Sequence, residues 1–479
     1  MPTELTIALL QAASRKRTEF GDFQTPAGLA RQVCDAVRSR CPSPASLLEP
    51  TCGRGAFLVA ALEAFPSLRN AVGLDINESH LGIARAALGR VEHAAARSLL
   101  HEDFYRADWP RLLAGLPEPL LVIGNPPWVT NSALGSLGSS NLPRKSNFQN
   151  HSGLDALTGK SNFDISEWML IRLLELLRGR QAVLAMLCKT AAARKVLVHA
   201  WKHKLVSSAE LRHIDAQAHF GAAVEACLLV CSIGGAVQGP QASVYGSLPA
   251  PQPDRVIGMA DGRLIADLEA YERVRHLAGE SPIRWRSGVK HDCARVMEFH
   301  RVGGRFRNGL GELVELEDEF VYPLLKGSHV AAGRVTEPTR WLLVTQRTTG
   351  DDTSRIRQAA PKTWAYLERH AEALDRRASS IYRNRPRFAM FGIGEYTFAP
   401  WKVAISGLHK KLAFAVIGRH AGKPVVLDDT CAFLPCGSAE EAEFVRGLLD
   451  MEDSQTFYSS QVFWDAKRPI TTEILNQLD

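Results

Sequence analysis

No apolar run in this chain approaches the roughly 18 residues of a membrane-spanning helix; the longest, at 182–187 and 226–233, have the length of buried strands. The opening segment, MPTELTIALLQAASRKRTEF, lacks the order of basic, apolar and small cleavable residues that a secretory signal shows, so a cytoplasmic protein is expected. Cysteine is sparse and ill-placed for bridging or metal binding. The nine cysteines are an odd number, no two form a CxxC pair, and their scatter suits reduced core thiols; no metal is expected. Internal repeats and long low-complexity tracts are also missing, which excludes solenoids and disordered polymers.

What is present is an ordinary globular balance, 46% hydrophobic and 23% charged, over 479 residues. That length predicts two domains with room for a third. The net charge of +6 is unevenly spread. Between Arg369 and Arg419 stand ten Lys or Arg against three acids, a local excess of +7 that leaves the rest of the chain at −1. This cluster holds Arg383, Arg385, Arg387, Lys402, Lys410 and Lys411, interleaved with Tyr382, Phe388, Phe391, Tyr396 and Trp401. Cations for phosphates and rings for stacking are what a polyanion-binding face requires; a solvated basic surface is the alternative.

Apolar periodicity predicts a helix over 27–40 and strands at 46–49, 71–75, 97–103, 120–124, 181–187, 210–215 and 224–233. Helical patterns at 56–64, 78–88, 165–177 and 191–204 lie between them. Strands alternating with helices imply right-handed crossovers and a mostly parallel sheet covered on both faces, with ligands at the carboxyl ends of its strands. The expected class is α/β, a Rossmann-like sheet followed by a mixed α+β domain. Residues 129–162, rich in Ser, Asn and Gly and carrying Arg144 and Lys145, are too long for an ordinary connector and read as a functional loop. The Gly- and Pro-rich stretch 234–253 reads as a linker, giving a first domain over 1–237, a linker over 238–256 and a second domain over 257–479.

The segment LEPTCGRGAFL is a strand, a glycine turn and a helix start. Gly53 and Gly55 let the backbone approach a ligand, and the helix behind them offers free N–H groups. Glu49, at the strand end, is placed to accept from an ammonium; Asp75, closing the next strand twenty residues past Gly55, is placed to hold two ribose hydroxyls. Asp103, after the third strand, is positioned for an adenine amine, with Phe104 beside it to pack on the ring. Ammonium, ribose and adenine together describe S-adenosylmethionine better than a dinucleotide, whose pyrophosphate the acid would repel.

The most specific motif is Gly124-Asn125-Pro126-Pro127-Trp128, directly after the apolar strand. An exocyclic amine on adenine is a poor nucleophile because its lone pair is delocalised into the ring. If the Asn125 side-chain oxygen and the Pro126 carbonyl both accept from that amine, the nitrogen is drawn towards tetrahedral geometry and its lone pair can face a methyl donor. The prolines restrict the backbone that carries the carbonyl. Trp128 offers a surface for a base taken out of the duplex.

FQTP at 23–26, LEPTCGRGAFL, GLDI, HEDF, GNPPW, the Asp164-Ile165 helix start and Ala218-His219-Phe220-Gly221 resemble, in this order, the motifs of amino-methylating DNA methyltransferases. The chain is similar to the gamma group of N6-adenine enzymes, the TaqI-like and Eco57I-like methyltransferases of type II restriction-modification. The likeness is close over about residues 20–235; YPLLKG at 322–327 and YTFAPWK at 396–402 resemble that family's target-recognition region less specifically. The resemblance implies a seven-stranded methyltransferase sheet and S-adenosylmethionine as cofactor. Thr25 would lie near the methionine carboxylate, Glu49 on the amino group, Asp75 on ribose and Asp103 on adenine, with Pro50, Gly53, Gly55, Ile76, Phe104 and Asn125 in the same cofactor site. Asn125, Pro126 and Pro127 would bind the target amine, Trp128 would stack, and Phe220 would press on the base from the other side. Trp128 departs from the commoner Tyr or Phe, which bears on pocket size.

Duplex DNA is the expected substrate, contacted by Arg144, Lys145 and the basic cluster, with a separately encoded restriction endonuclease or defence partner left open. No PD…ExK arrangement appears, so modification without cleavage is expected. The Asn-Pro-Pro-aromatic chemistry also serves N5-glutamine protein and ribosomal RNA methyltransferases, but these leave the residues beyond the linker unexplained. A non-catalytic DNA-binding specificity subunit would have no need of Asn125, Glu49, Asp75 and both glycines.

Overall fold

The computed structural model describes residues 23–129 and 164–479 and divides them into two compact units, 1–264 and 265–479. Arg144 and Lys145 lie outside the described residues.

Among the described residues ten strands run through the first unit to its boundary: β1 Ser46–Glu49, β2 Asn70–Asp75, β3 Ala96–His101, β4 Leu120–Gly124, β5 Ala182–Lys189, β6 Ser208–Ile214, β7 Ala226–Ile233, β8 Gln241–Tyr245, β9 Arg255–Ala260 and β10 Arg263–Ile265. They form one sheet in the order β10-β9-β8-β6-β7-β5-β4-β1-β2-β3. Every residue of β1 and β4 is buried, as expected of apolar strands covered on both faces. From β3 through β5 the neighbours are all parallel; β7 runs antiparallel between β5 and β6. The helices are α1 Ala27–Val37, α2 Ala56–Ala64, α3 Glu78–Leu88, α4 Trp109–Ala114, α5 Ile165–Leu176, α6 Thr190–Lys202 and α7 Ala216–Phe220. Leu29, Val33 and Val37 recur on one face of α1 and pack in a common core with Phe57, Leu58 and Ala61 of α2 and Leu47, Leu121 and Ala185 of the sheet.

This order fixes where a ligand can sit. From β1 the chain turns outward to β2 and β3, then returns to place β4 on the other side of β1. The carboxyl ends of β1 and β4 therefore flank the point at which strand order reverses, where open α/β sheets bind ligands. Glu49 ends β1 and Gly124 ends β4.

Among the described residues the seven-stranded sheet is extended to ten strands, and the stretch 238–256, read from the sequence as a linker, is part of that sheet. It contributes β8, which pairs in parallel with β6, and the start of β9, antiparallel to β8. Glycine and proline on both sides hide this five-residue strand in the sequence. Its anchor is Arg212, buried with its guanidinium 3.9 Å from the centre of the Tyr245 ring. Arg212 also donates to the Leu248 carbonyl at 2.8 Å, the Ala250 carbonyl at 3.0 Å and Glu210 Oε1 at 3.0 Å.

The second unit is α+β, as expected. One sheet has the order Arg286–Ser287, Cys431–Cys436, Trp401–Ser406, Ala415–Ile417; the other runs Leu313–Val314, Arg305–Asn308, Glu298–Val302, Arg340–Leu343, Val321–Leu325, Val426–Leu427. Phe299, Phe306, Trp341, Tyr366 and Phe388 centre its largest core. Beside that core the buried Glu298 accepts from Lys326 Nζ at 2.6 Å and Arg340 Nη1 at 3.2 Å, with His291 Nε2 at 3.3 Å. Burial alone would raise this carboxyl, but the hydrogen bonds from His291 and Lys326 outweigh it and lower it to about 2.

Arg212→Ala is expected to destabilise the first unit by up to about 3 kcal/mol, less than the full cost of breaking a buried ion pair because Glu210 keeps Arg40 at 3.0 Å on Oε2. Urea unfolding measures it; a loss within the range of an exposed pair would show that the segment after β7 does not depend on this anchor.

A candidate active site at the sheet's switch point

The glycine turn after β1 is held by the strand beside it. Cys52 N–H donates to the Leu74 carbonyl at 2.7 Å, and Gly53 N–H donates to Asp75 Oδ2 at 2.7 Å. Gly53 and Gly55 adopt φ of 49° and 80°, a left-handed backbone that side chains strain, and a Cβ on Gly55 would stand 3.0 Å from the Ala84 Cβ. A Cβ on Gly53 would meet Gln24 Oε1 at 2.7 Å, the same oxygen that accepts from Arg54 N–H at 3.1 Å. Gln24 belongs to the FQTP segment, so the turn is closed from outside by a residue the sequence reading quoted but gave no role.

The three acids behave differently. Glu49 is buried, and its Oε2 accepts from Leu58 N–H at 3.2 Å. Burial, with the negative Asp75 adding to it, raises the Glu49 carboxyl well above its ordinary value. Asp75 is half-buried; besides Gly53 it takes Asn77 N–H on Oδ1 at 2.8 Å, and Asn77 in turn caps α3 through Ser79 N–H at 3.0 Å. Asp103 accepts from Tyr105 N–H at 2.9 Å. Phe104 does not offer a free face: it is buried 4.8 Å from Trp109 and 6.1 Å from Trp168. Tyr105, which sequence reasoning passed over, sits 5.1 Å from Trp168 with its hydroxyl buried and unpartnered among the described residues. Thr51 Oγ1, between Pro50 and the glycine turn, is buried and unpartnered in the same sense. Ile76, following Asp75, is exposed.

The β4 end carries the clearest geometry. Asn125 Nδ2 donates to the Phe23 carbonyl at 3.1 Å and to Thr25 Oγ1 at 3.3 Å. A carbonyl oxygen can only accept, so the Phe23 contact fixes which way the amide points. Asn125 Oδ1 is thereby left buried with no partner, and the Pro126 carbonyl likewise has none among the described residues. Buried polar atoms are nearly always satisfied, so an acceptor without a partner among the described residues is a candidate place for a further donor. Pro127 leads into Trp128, whose backbone is clamped: Lys189 Nζ donates to its carbonyl at 2.9 Å and to Asp164 Oδ2 at 2.6 Å, while the indole Nε1 donates to the Leu187 carbonyl at 3.3 Å. Lys189 was not singled out in the sequence; a lysine ending an apolar strand opposite the Asp164 helix cap was its one signal.

Thr25 therefore holds Asn125. Trp128 and Phe220 do meet, but edge to face at 5.2 Å and 75°, with Phe23 closing the third side at 5.9 and 6.0 Å. A base sandwiched between two parallel rings needs about 7 Å, twice the ordinary contact distance. The edge-to-face arrangement satisfies the ring quadrupoles without one.

The basic cluster does not survive as a single face. Lys402 is 1% exposed and donates to the Ala399 carbonyl at 2.7 Å; burial lowers its ammonium to about 7, so it cannot reach a phosphate. Arg377 is spent on the Leu374, His291 and Ala389 carbonyls, and Arg387 is paired with Asp375 at 2.9 Å. Arg383, Arg385, Lys410 and Lys411 remain exposed.

No family model matches the chain. It is 44% identical over 474 residues to Type II methyltransferase M.NspV of a Nostoc species, covering 98% of each. The chain belongs to the type II methyltransferases. The solved structure of the type IIL restriction-modification enzyme MmeI in complex with DNA also aligns with this methyltransferase, at a TM-score of 0.54 and 14% identity, over 98% of this chain and 66% of that one. At that identity the likeness is one of fold.

Because the folded-state value of Glu49 lies above the unfolded one, the stability it allows is full at low pH and is lost as pH rises through the folded value. Glu49→Gln does not titrate. Its thermal stability relative to wild type is expected to rise between pH 5 and pH 8.5; a pH-independent difference would show that the carboxyl is not buried as described.

Proposed function

We propose that this methyltransferase acts on duplex DNA, transferring a methyl group from S-adenosylmethionine to the N6 amine of an adenine turned out of the helix, as a modification enzyme of the gamma group. The observation that carries this reading is a pair of acceptors on successive residues without a partner among the described residues, the buried Asn125 Oδ1 and the Pro126 carbonyl. An exocyclic amine brings two N–H donors and needs two acceptors. Among the described residues nothing in the site offers a base strong enough to remove a proton from it outright. Accepting both hydrogens instead leaves the nitrogen lone pair free to point away from the ring.

The residues around the glycine turn fit S-adenosylmethionine. Glu49 would take the ammonium, Asp75 the ribose and Asp103 the adenine, beside two glycines that leave no room for a Cβ. When bound, that cofactor supplies an electrophilic methyl group. Asn125 holds the amine, and Thr25 with the Phe23 carbonyl holds Asn125. Lys189 keeps the Trp128 backbone from drifting. Trp128, fixed through its indole nitrogen, would supply the stacking face, and Phe220, half-buried at the end of the five-residue α7, would be the ring that moves aside. A methyl acceptor that enters by displacing rings matches a base removed from its stack.

The test is sequencing sensitive to DNA modification in cells expressing the protein, with nucleoside analysis of the product. N6-methyladenine at one recurring site is expected. Asn125→Ala should lose about 100-fold or more in transfer, in the range seen when one preorganised hydrogen-bonding group is removed from an active site, while keeping its affinity for S-adenosylmethionine. Near-normal turnover would end the mechanism, and N4-methylcytosine would move the target to the other exocyclic amine that this geometry suits.

A further inference from the structure

Arg347, in the loop after the strand Arg340–Leu343, is held more rigidly than an exposed arginine needs to be. Glu395 takes its Nε at 3.2 Å and its Nη2 at 2.9 Å, the side edge of the fork. The guanidinium lies 4.2 Å from the centre of the Phe398 ring, which Tyr322 supports at 5.3 Å. The loop itself is pinned. Asp351 accepts from the backbone N–H of Arg347 at 3.0 Å and of Thr348 at 2.9 Å, and the Gln346 side chain bridges the Asp351 carbonyl and Met390 N–H, each at 2.8 Å. Yet the side chain is 51% exposed, and Nη1 has no partner among the described residues.

An exposed ion pair returns little stability against the side-chain freedom it costs, so this construction orients more than it stabilises. With the side edge taken, the end of the fork is left: one N–H on each of Nη1 and Nη2, parallel and outward. Two parallel donors match a partner with two adjacent acceptors. On a base pair's major-groove edge only guanine presents that pattern, through O6 and N7. The charge argues the same way. A phosphate contact rewards net positive charge, and Glu395 cancels it; a base edge rewards fixed donors, and Glu395 fixes them. Arg286, stacked 4.8 Å from the Tyr396 ring of the same turn, has no carboxylate among the described residues and is the contrasting, phosphate-type arginine.

We infer that Arg347 is a specificity-determining residue that reads a guanine in the recognised sequence, with Glu395 and Phe398 as its positioning residues. This rests on the proposal that the substrate is duplex DNA. It also gives a task to the segments YPLLKG and YTFAPWK, which meet at this arginine through Tyr322 and Phe398.

The experiment compares the full-length wild type with Arg347→Ala, Glu395→Gln and Arg286→Ala. Methylated sites are mapped by sequencing, and binding to the mapped site and its single-pair variants is measured at several salt concentrations. Arg347→Ala should relax the requirement at one G·C pair and lose roughly 10- to 100-fold of the discrimination there, with the salt slope little changed. If the variant is inactive, the same loss is read from binding alone. Glu395→Gln should weaken discrimination at the same pair, and Arg286→Ala should flatten the slope by about 0.9 without changing the site. An unchanged site for Arg347→Ala, with or without a flatter slope, would overturn the inference, as would tighter binding of Glu395→Gln to all duplexes alike, which marks a phosphate contact. If the wild type modifies no duplex DNA, the proposed function fails rather than this assignment.

Discussion

The site depends on one hydrogen bond, from the Asn125 amide nitrogen to the backbone carbonyl of Phe23. Two segments a hundred residues apart meet there, and the bond decides which end of the amide faces inward. Without it the carboxamide could turn over and present a donor where an acceptor is required. Much of the surrounding architecture keeps that contact in register. Pro126 and Pro127 limit the backbone after β4, Lys189 ties the Trp128 carbonyl to Asp164, and Gln24, next to Phe23, closes over the glycine turn. The segment that closes the glycine turn and the segment that orients the acceptor are therefore one and the same. A shift of residues 23–25 would disturb both.

Burial sets the energetics of the other side. Glu49 sits where a carboxylate is costly, and its own chain offers it one backbone N–H. A group that is disfavoured alone and favoured beside a cation is suited to discriminate for a positively charged ligand. Asp75 differs: with two backbone N–H groups already on it, it builds the turn as well as facing the site.

The sequence made the core of the first unit legible because apolar runs of four to eight residues between glycine turns have few other readings. The bounds of β1, α2, α3 and β4 follow the pattern residue for residue. The segment after β7 was opaque because the anchor of β8 is Arg212, an arginine thirty residues earlier whose burial no local pattern reveals. Counting charge misled in the second unit for a similar reason. Lys402 and Arg377 fall within the most basic stretch, yet both donate to backbone carbonyls inside the fold. Arg347, outside that stretch, is a better candidate for contact with a ligand because its partners, not its number of charged neighbours, set its direction. The motif drew attention to the Asn125 side-chain oxygen, whereas the closed contact of Trp128 with Phe220 depends on ring packing in three dimensions.

The most direct measurement of the central claim is a thermodynamic cycle on binding. Wild type and Asn125→Ala are each titrated with a duplex carrying adenine at the methylated position and with one carrying purine, which lacks only the exocyclic amine. If Asn125 Oδ1 receives that amine, the variant loses affinity for the adenine duplex but not for the purine duplex, with a coupling of about 1 kcal/mol or more. Equal losses on both duplexes would show that the unpartnered oxygen serves some other donor, and the account of the site would be wrong.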